Sequence, residues 1–186
     1  LTSDDLLKAK LKDRTVLVMT LPNARESEVN GISEHLRQSG AKVTGQVRLT
    51  STLLSPAKKQ FVEGVAIQAN PSANTAEGSY AVVGSTLAKA YLDKRSRPVG
   101  ETGATIRAAF LEGKLVENAK EPTSKAELVV VVAGAPRPND QSQGEVVALL
   151  VNEFDRASKG VLVAGPISSG EAGVVSDVRA SDAASR

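Results

Sequence analysis

The sequence predicts an α/β domain of three layers, a mostly parallel sheet flanked by helices, Rossmann-like in topology but without a nucleotide motif. Three observations predict it. Short apolar, β-branched runs alternate with stretches of helical periodicity, the pattern of a parallel sheet with crossover helices. The layout strand, Pro/Asn-containing loop, helix, Gly, strand occurs twice, over Thr15 to Leu49 and Leu128 to Ala164, each about the length of one βαβ unit. Aromatic residues make up only 3% of the chain and Trp is absent. The core must then be built from Val, Leu, Ile and Ala, as in a sheet buried on both faces.

Each element has its own justification. Thr2, Ser3, Asp4 and Asp5 offer capping groups to a short helix through Leu6 and Leu11, so residues 1–13 read as the end of an N-terminal helix or linker. Thr15 to Thr20 (TVLVMT) is a buried strand ended by Pro22-Asn23. Glu26 to Ser39 places Val29, Ile32 and Leu36 at helical spacing, and Gly40 stops it. Lys42 to Leu49 is the second strand. Ser55-Pro56 caps a helix whose apolar side is Phe61, Val62 and Val65. Ala76 to Leu92 carries the clearest amphipathic stripe, with Tyr80, Val83, Gly84, Leu87, Ala88 and Tyr91 on one side. Thr102 to Leu111 is a further helix ended by Gly113. Glu117 to Lys125 is polar and reads as a surface connection.

Leu128 to Ala133 is a central strand, apolar towards both faces. Gly144 to Ala157 is a helix whose apolar arc, Val146, Val147, Leu149, Leu150, Val151 and Phe154, is too wide for a helix lying only on a sheet. The excess implies a second covering surface, a partner subunit being the expectation. Gly160 to Ala164 is a strand, Pro166 to Gly173 a loop, Val174 to Arg179 a last strand, and residues 180–186 a polar tail.

The chemistry the chain lacks narrows its function. The strand-to-helix turn after Val132 has one glycine, then Pro136 and Pro138, each of which removes an N–H donor. Neither G-x-G-x-x-G nor G-K-[ST] occurs, so the turn reads as a connection rather than a phosphate cradle. Gly165 to Gly170, with Ser168 and Ser169, is the better place for an anion contact, but no helix clearly follows it. The one histidine, His35, falls mid-helix, the wrong place for a triad. Cysteine is absent and Met19 is the one methionine, so soft-metal ligands are nearly lacking. No catalytic residue, cofactor or metal site is expected.

A net charge of +2 argues against nucleic acid as a partner. Lys94, Arg95 and Arg97 form one basic cluster at a helix end, suited to the helix C-terminus, an acidic partner or a lipid headgroup. No apolar run reaches the ~18 residues of a transmembrane helix. The chain starts at Leu1 and reads as a fragment or processed form.

The segments TVLVMTLP, GISEHLRQSGAKVTGQVRLT, AELVVVVAGAPRPN and GVLVAGPISSG resemble the actinobacterial MctB family over about Arg14 to Arg179. One branch of that family is called a mycobacterial copper-transport or outer-membrane channel protein. Corynebacterial relatives are described as SteB, the membrane partner of SteA in daughter-cell separation. The resemblance implies a single-pass membrane protein of which residues 14–179 are the extracytoplasmic domain. It implies a homodimer, a cytoplasmic SteA-like partner reached through an anchor, and a protein-interaction role in cell-envelope division involving an envelope hydrolase or its regulator. The interaction face expected from the residues is Val147, Leu150, Val151 and Phe154, with Lys94, Arg95 and Arg97. Copper transport or efflux is the alternative. It fits the ligand count badly, and a channel barrel needs ~10-residue alternating strands.

Overall fold

Strand β1 (Thr15–Thr20) is the centre of the sheet, and its apolar residues are almost wholly removed from water. The computed structural model describes residues 11–135, 141–166, 175, 176 and 178. Within them the chain runs β1, α1 (Glu26–Gln38), β2 (Lys42–Leu49), α2 (Ser51–Leu54), α3 (Lys59–Ala69), α4 (Ser79–Tyr91), α5 (Gly100–Glu112), β3 (Val116–Lys120), β4 (Leu128–Val132), α6 (Gln141–Ala157) and β5 (Val161–Ala164). The sheet order is β3-β2-β1-β4-β5. All neighbours are parallel except β3 against β2. The fold is therefore the predicted α/β architecture with a mostly parallel sheet.

The topology fixes which helix covers which face. The β1-to-β2 and β4-to-β5 crossovers leave the centre in opposite directions. With right-handed connections their helices must lie on opposite faces. Accordingly α1 covers one face, where Val16, Val18, Val130 and Val132 meet Val29 and Ala41. Leu17, Met19, Val47, Val129 and Val131 point the other way, into a larger core shared with the remaining helices. Helix α1 ends in a Schellman motif. Gly40 adopts φ 84° and its N–H donates to Arg37 O, while Ala41 N–H donates to Leu36 O.

Four sequence expectations change. Residues 117–120, read as a connection, belong to the antiparallel edge strand β3. Their side chains are mostly exposed, so the strand has no apolar alternation to reveal it, and only pairing with β2 defines it. Val175, Ser176 and Val178, the described part of the expected last strand, are helical. Val175 and Val178 lie one helical turn apart and both reach the larger core.

Helix α4 has no polar face of the kind its stripe implied. Val82, Thr86 and Ala90 are as buried as Val83 and Leu87, because α3, α5 and α6 all pack around it. Fourth, the wide arc of α6 is covered within the chain except at Leu149, which is 45% exposed. Val147, Leu150, Val151 and Phe154 are all buried, and the surface over them is α4, not a partner subunit. The contact is close: a Cβ on Gly84 of α4 would stand 2.9 Å from Glu153 Cβ and 3.3 Å from Leu150 Cα of α6.

One cation is built into the interior. Arg107 of α5 donates to the carbonyls of Ala90 (3.2 Å), Pro122 (2.8 Å) and Ser124 (3.4 Å). Its guanidinium lies 4.6 Å from the centroid of the Tyr91 ring. Burial lowers its proton affinity and pushes the Tyr91 phenol up to about 12. This arginine ties α4, α5 and the segment before β4 together, a structural rather than a reactive role.

Candidate functional site

In open α/β sheets ligands bind beyond the carboxyl ends of the strands, where the chain order reverses. Here that point lies between β1 and β4. It is filled by the protein's own backbone. The N–H of Leu21 donates to Val132 O at 2.9 Å, and Gly134 lies so close to Asn23 that a Cβ there would be 1.9 Å from the Asn23 carbonyl oxygen. Glycine at 134 thus serves a loop-to-loop contact. The first turn of α1 carries Glu26 and Glu28, which repel an anion at that helix terminus. Residues 136–140 and 167–170, the rest of the two loops weighed for phosphate contact, lie outside the described residues.

Beside this closed point an open crevice runs along α1. Glu28, Gly31, Ile32 and His35 form one wall, and Val132, Ala164, Gly165 and Pro166 the other, around about 320 Å³. The register pairs Val130 with Leu162 and Val132 with Ala164, so Leu162 and Ala164 share the α1-side face. Helix α1 sits over β1 and β2, leaving the β5 end of that face in water. Leu162 is 58% exposed, the most open large apolar side chain described. The surface is an apolar shelf with Glu28 and His35 at its rim. No covering group lies within 4 Å of the position a Cβ on Gly31 would take.

The expected interaction residues separate into two groups that the fold does not bring together. Val147, Leu150, Val151 and Phe154 are core and offer no docking face. Lys94, Arg95 and Arg97 are exposed, on the loop after α4. Asp93 shapes that loop, accepting from Arg95 N–H at 2.7 Å and pairing with Arg97 Nε at 3.2 Å. Ser96 links the loop to the start of the sheet: Thr15 Oγ1 donates to Ser96 Oγ (2.8 Å), which donates to Lys125 O (3.0 Å).

Nearby, Glu127 accepts from Arg14 at 3.1 Å and is bonded to Lys159. The Lys159 hydrogen bond, set against burial and helped by the Thr15 N–H and by Arg14, holds its carboxyl below the usual carboxylate range. Sequence reading missed the crevice because its walls come from three separated segments. The one local signal was Leu162, an apolar residue on an edge strand.

Copper, as cargo, would need soft or imidazole donors. Met19 is wholly buried in β1, and His35 stands alone as an imidazole. Among the described residues no three His, Asp or Glu side chains converge on a common point, and no helix is long and apolar enough to cross a membrane.

Comparison with curated proteins finds no match. A family profile does match, over residues 2–186, and its description reads copper transport outer membrane protein, MctB. With the profile covering nearly every residue of a sheet and helix order set out above, the chain belongs to the MctB family.

Proposed function

We propose that this chain is a non-catalytic, extracytoplasmic interaction module of the cell envelope, acting by holding other proteins. The observation that carries this reading is the condition of the sheet's carboxyl edge. The position where this fold class holds a small molecule is filled by Asn23 against Gly134, while an apolar shelf with a polar rim stands open beside it. An apolar centre ringed by polar groups is the anatomy of a protein contact. The envelope setting follows from the family's description. The cell-separation role, with a SteA-like cytoplasmic partner and an envelope hydrolase or its regulator, follows from the resemblance to corynebacterial relatives. Self-association belongs to the same reading, now on the Leu162 shelf rather than on α6.

Sedimentation equilibrium over a concentration series tests it. The wild-type chain should self-associate, and Leu162→Asp should be monomeric with an unchanged circular dichroism spectrum, because Leu162 is more than half exposed and supports no core. A wild-type chain that stays monomeric throughout, and retains the same envelope proteins as Leu162→Asp, would end the proposal.

Copper transport is the second reading, favoured by the wording of the family profile. His35, exposed on the crevice rim, is the one borderline-soft donor that a copper ion could reach without unfolding β1.

A further inference from the structure

We infer that the amino-terminal edge of the sheet is a basic face that docks on an anionic lipid surface. Its cations lie apart from the shelf described above.

Five segments meet at that edge: residues 12–14, 39–42, 121–127 and 158–160, which lead into β1, β2, β4 and β5, and the 92–97 loop pinned to them through Ser96. Together they carry eight basic side chains, Lys12, Arg14, Lys42, Lys94, Arg95, Arg97, Lys125 and Lys159, against four acidic ones, Asp13, Asp93, Glu121 and Glu127. Elsewhere among the described residues there are 10 basic and 11 acidic side chains. Among the described residues the charge is therefore polarised, positive at this edge and close to balanced over the remainder.

The acids are already engaged. Asp13 pairs with Lys42 at 2.9 Å, Asp93 with Arg97, and Glu127 with Arg14 and Lys159, while Glu121 accepts from Asn118. Lys94 and Arg95 are exposed and have no ion-pair partner among the described residues, so they carry the outward part of the surplus, whereas Lys125 is half-buried.

The shape selects the partner. Adjacent strands lie about 4.8 Å apart, so the entries to the four parallel strands spread the cations across roughly 15 Å. None of the eight lines the crevice. Charge distributed over a broad edge matches a surface of distributed negative charge better than it matches one phosphate. The five segments contain no Phe, Trp or Tyr, so they have no stacking platform for nucleic-acid bases. Lysine and arginine near an anionic bilayer each strengthen binding about fivefold, an attraction that fades within a Debye length of about 10 Å. Only an edge that leads with its cations can use it.

The test is cosedimentation of the whole chain with phosphatidylcholine vesicles containing about one-third phosphatidylglycerol, and with phosphatidylcholine alone. The wild-type chain should bind the first, not the second, and should release as salt rises. The double variant Lys94→Glu/Arg95→Glu breaks no ion pair and should lose at least about tenfold in partitioning. Lys58→Glu/Lys59→Glu makes the same change in net charge at exposed residues away from this edge, and should bind as the wild type does. Equal loss in both variants, binding to neutral vesicles, no binding to anionic ones, or full competition by polyglutamate at equal charge would each overturn the inference.

Discussion

Glu127 shows how much one residue can organise. It is a carboxylate at 9% exposure placed where β4 begins, and it joins three elements: Arg14 before β1, the Thr15 N–H of β1, and Lys159 before β5. These donors hold its folded-state pKa below the unfolded value. A depressed carboxylate contributes stability that is present above the unfolded pKa and is lost as pH falls through the folded one. Glu127→Gln should therefore lower stability at neutral pH by about 1–3 kcal/mol. It should also flatten the acid limb of stability against pH below about 4.5. Urea titrations of both proteins from neutral to acid pH would show it. An acid limb unchanged by the substitution would place the acid sensitivity elsewhere. Sequence could not single out Glu127, because its partners come from positions 113 residues before and 32 after it.

Among the elements, the pair α4 and α6 decides the packing of the helical side. Both are more apolar than a helix resting on a sheet requires, and each covers most of the other's surplus, Leu149 of α6 excepted. The close approach at Gly84 allows it. A methyl group there would press on the Glu153 stem at 2.9 Å and on the α6 backbone at 3.3 Å. Gly84→Ala gains helix propensity worth up to ~1 kcal/mol, but the overpacking should outweigh it. A net destabilisation of about 1–3 kcal/mol is expected, read as a lowered midpoint in thermal and urea unfolding. A stabilised variant would mean that the two helices separate without loss. The excess apolar arc on α6 was legible in the sequence as a demand for a second cover. What satisfied the demand was not, because periodicity along one helix does not say whether the cover is its own chain or another.

For the whole molecule, the donor inventory bears on copper. With no Cys, one Met inside β1 and one His on the rim, equilibrium dialysis should find no tight stoichiometric site for copper(I). Copper(II) should bind only weakly, and His35→Ala should abolish that binding. Tight one-to-one binding that survives His35→Ala would restore transport as the leading reading and require ligands beyond those described here.

Sequence alone determined the α/β class, the strands β1, β2, β4 and β5, and the glycine stop of α1. These depend on local periodicity and on backbone conformations that neighbouring residues impose. It also set the absence of Cys and the single His and Met, which is a matter of composition. The tertiary structure decided the rest. It turned the polar residues 117–120 into an edge strand, gathered cations from five loops at one end of the sheet, closed the ligand point with Asn23 against Gly134, and left Leu162 in water. Each of these is a relation between segments far apart in the chain. Only the strand order and the hand of the crossovers bring them together.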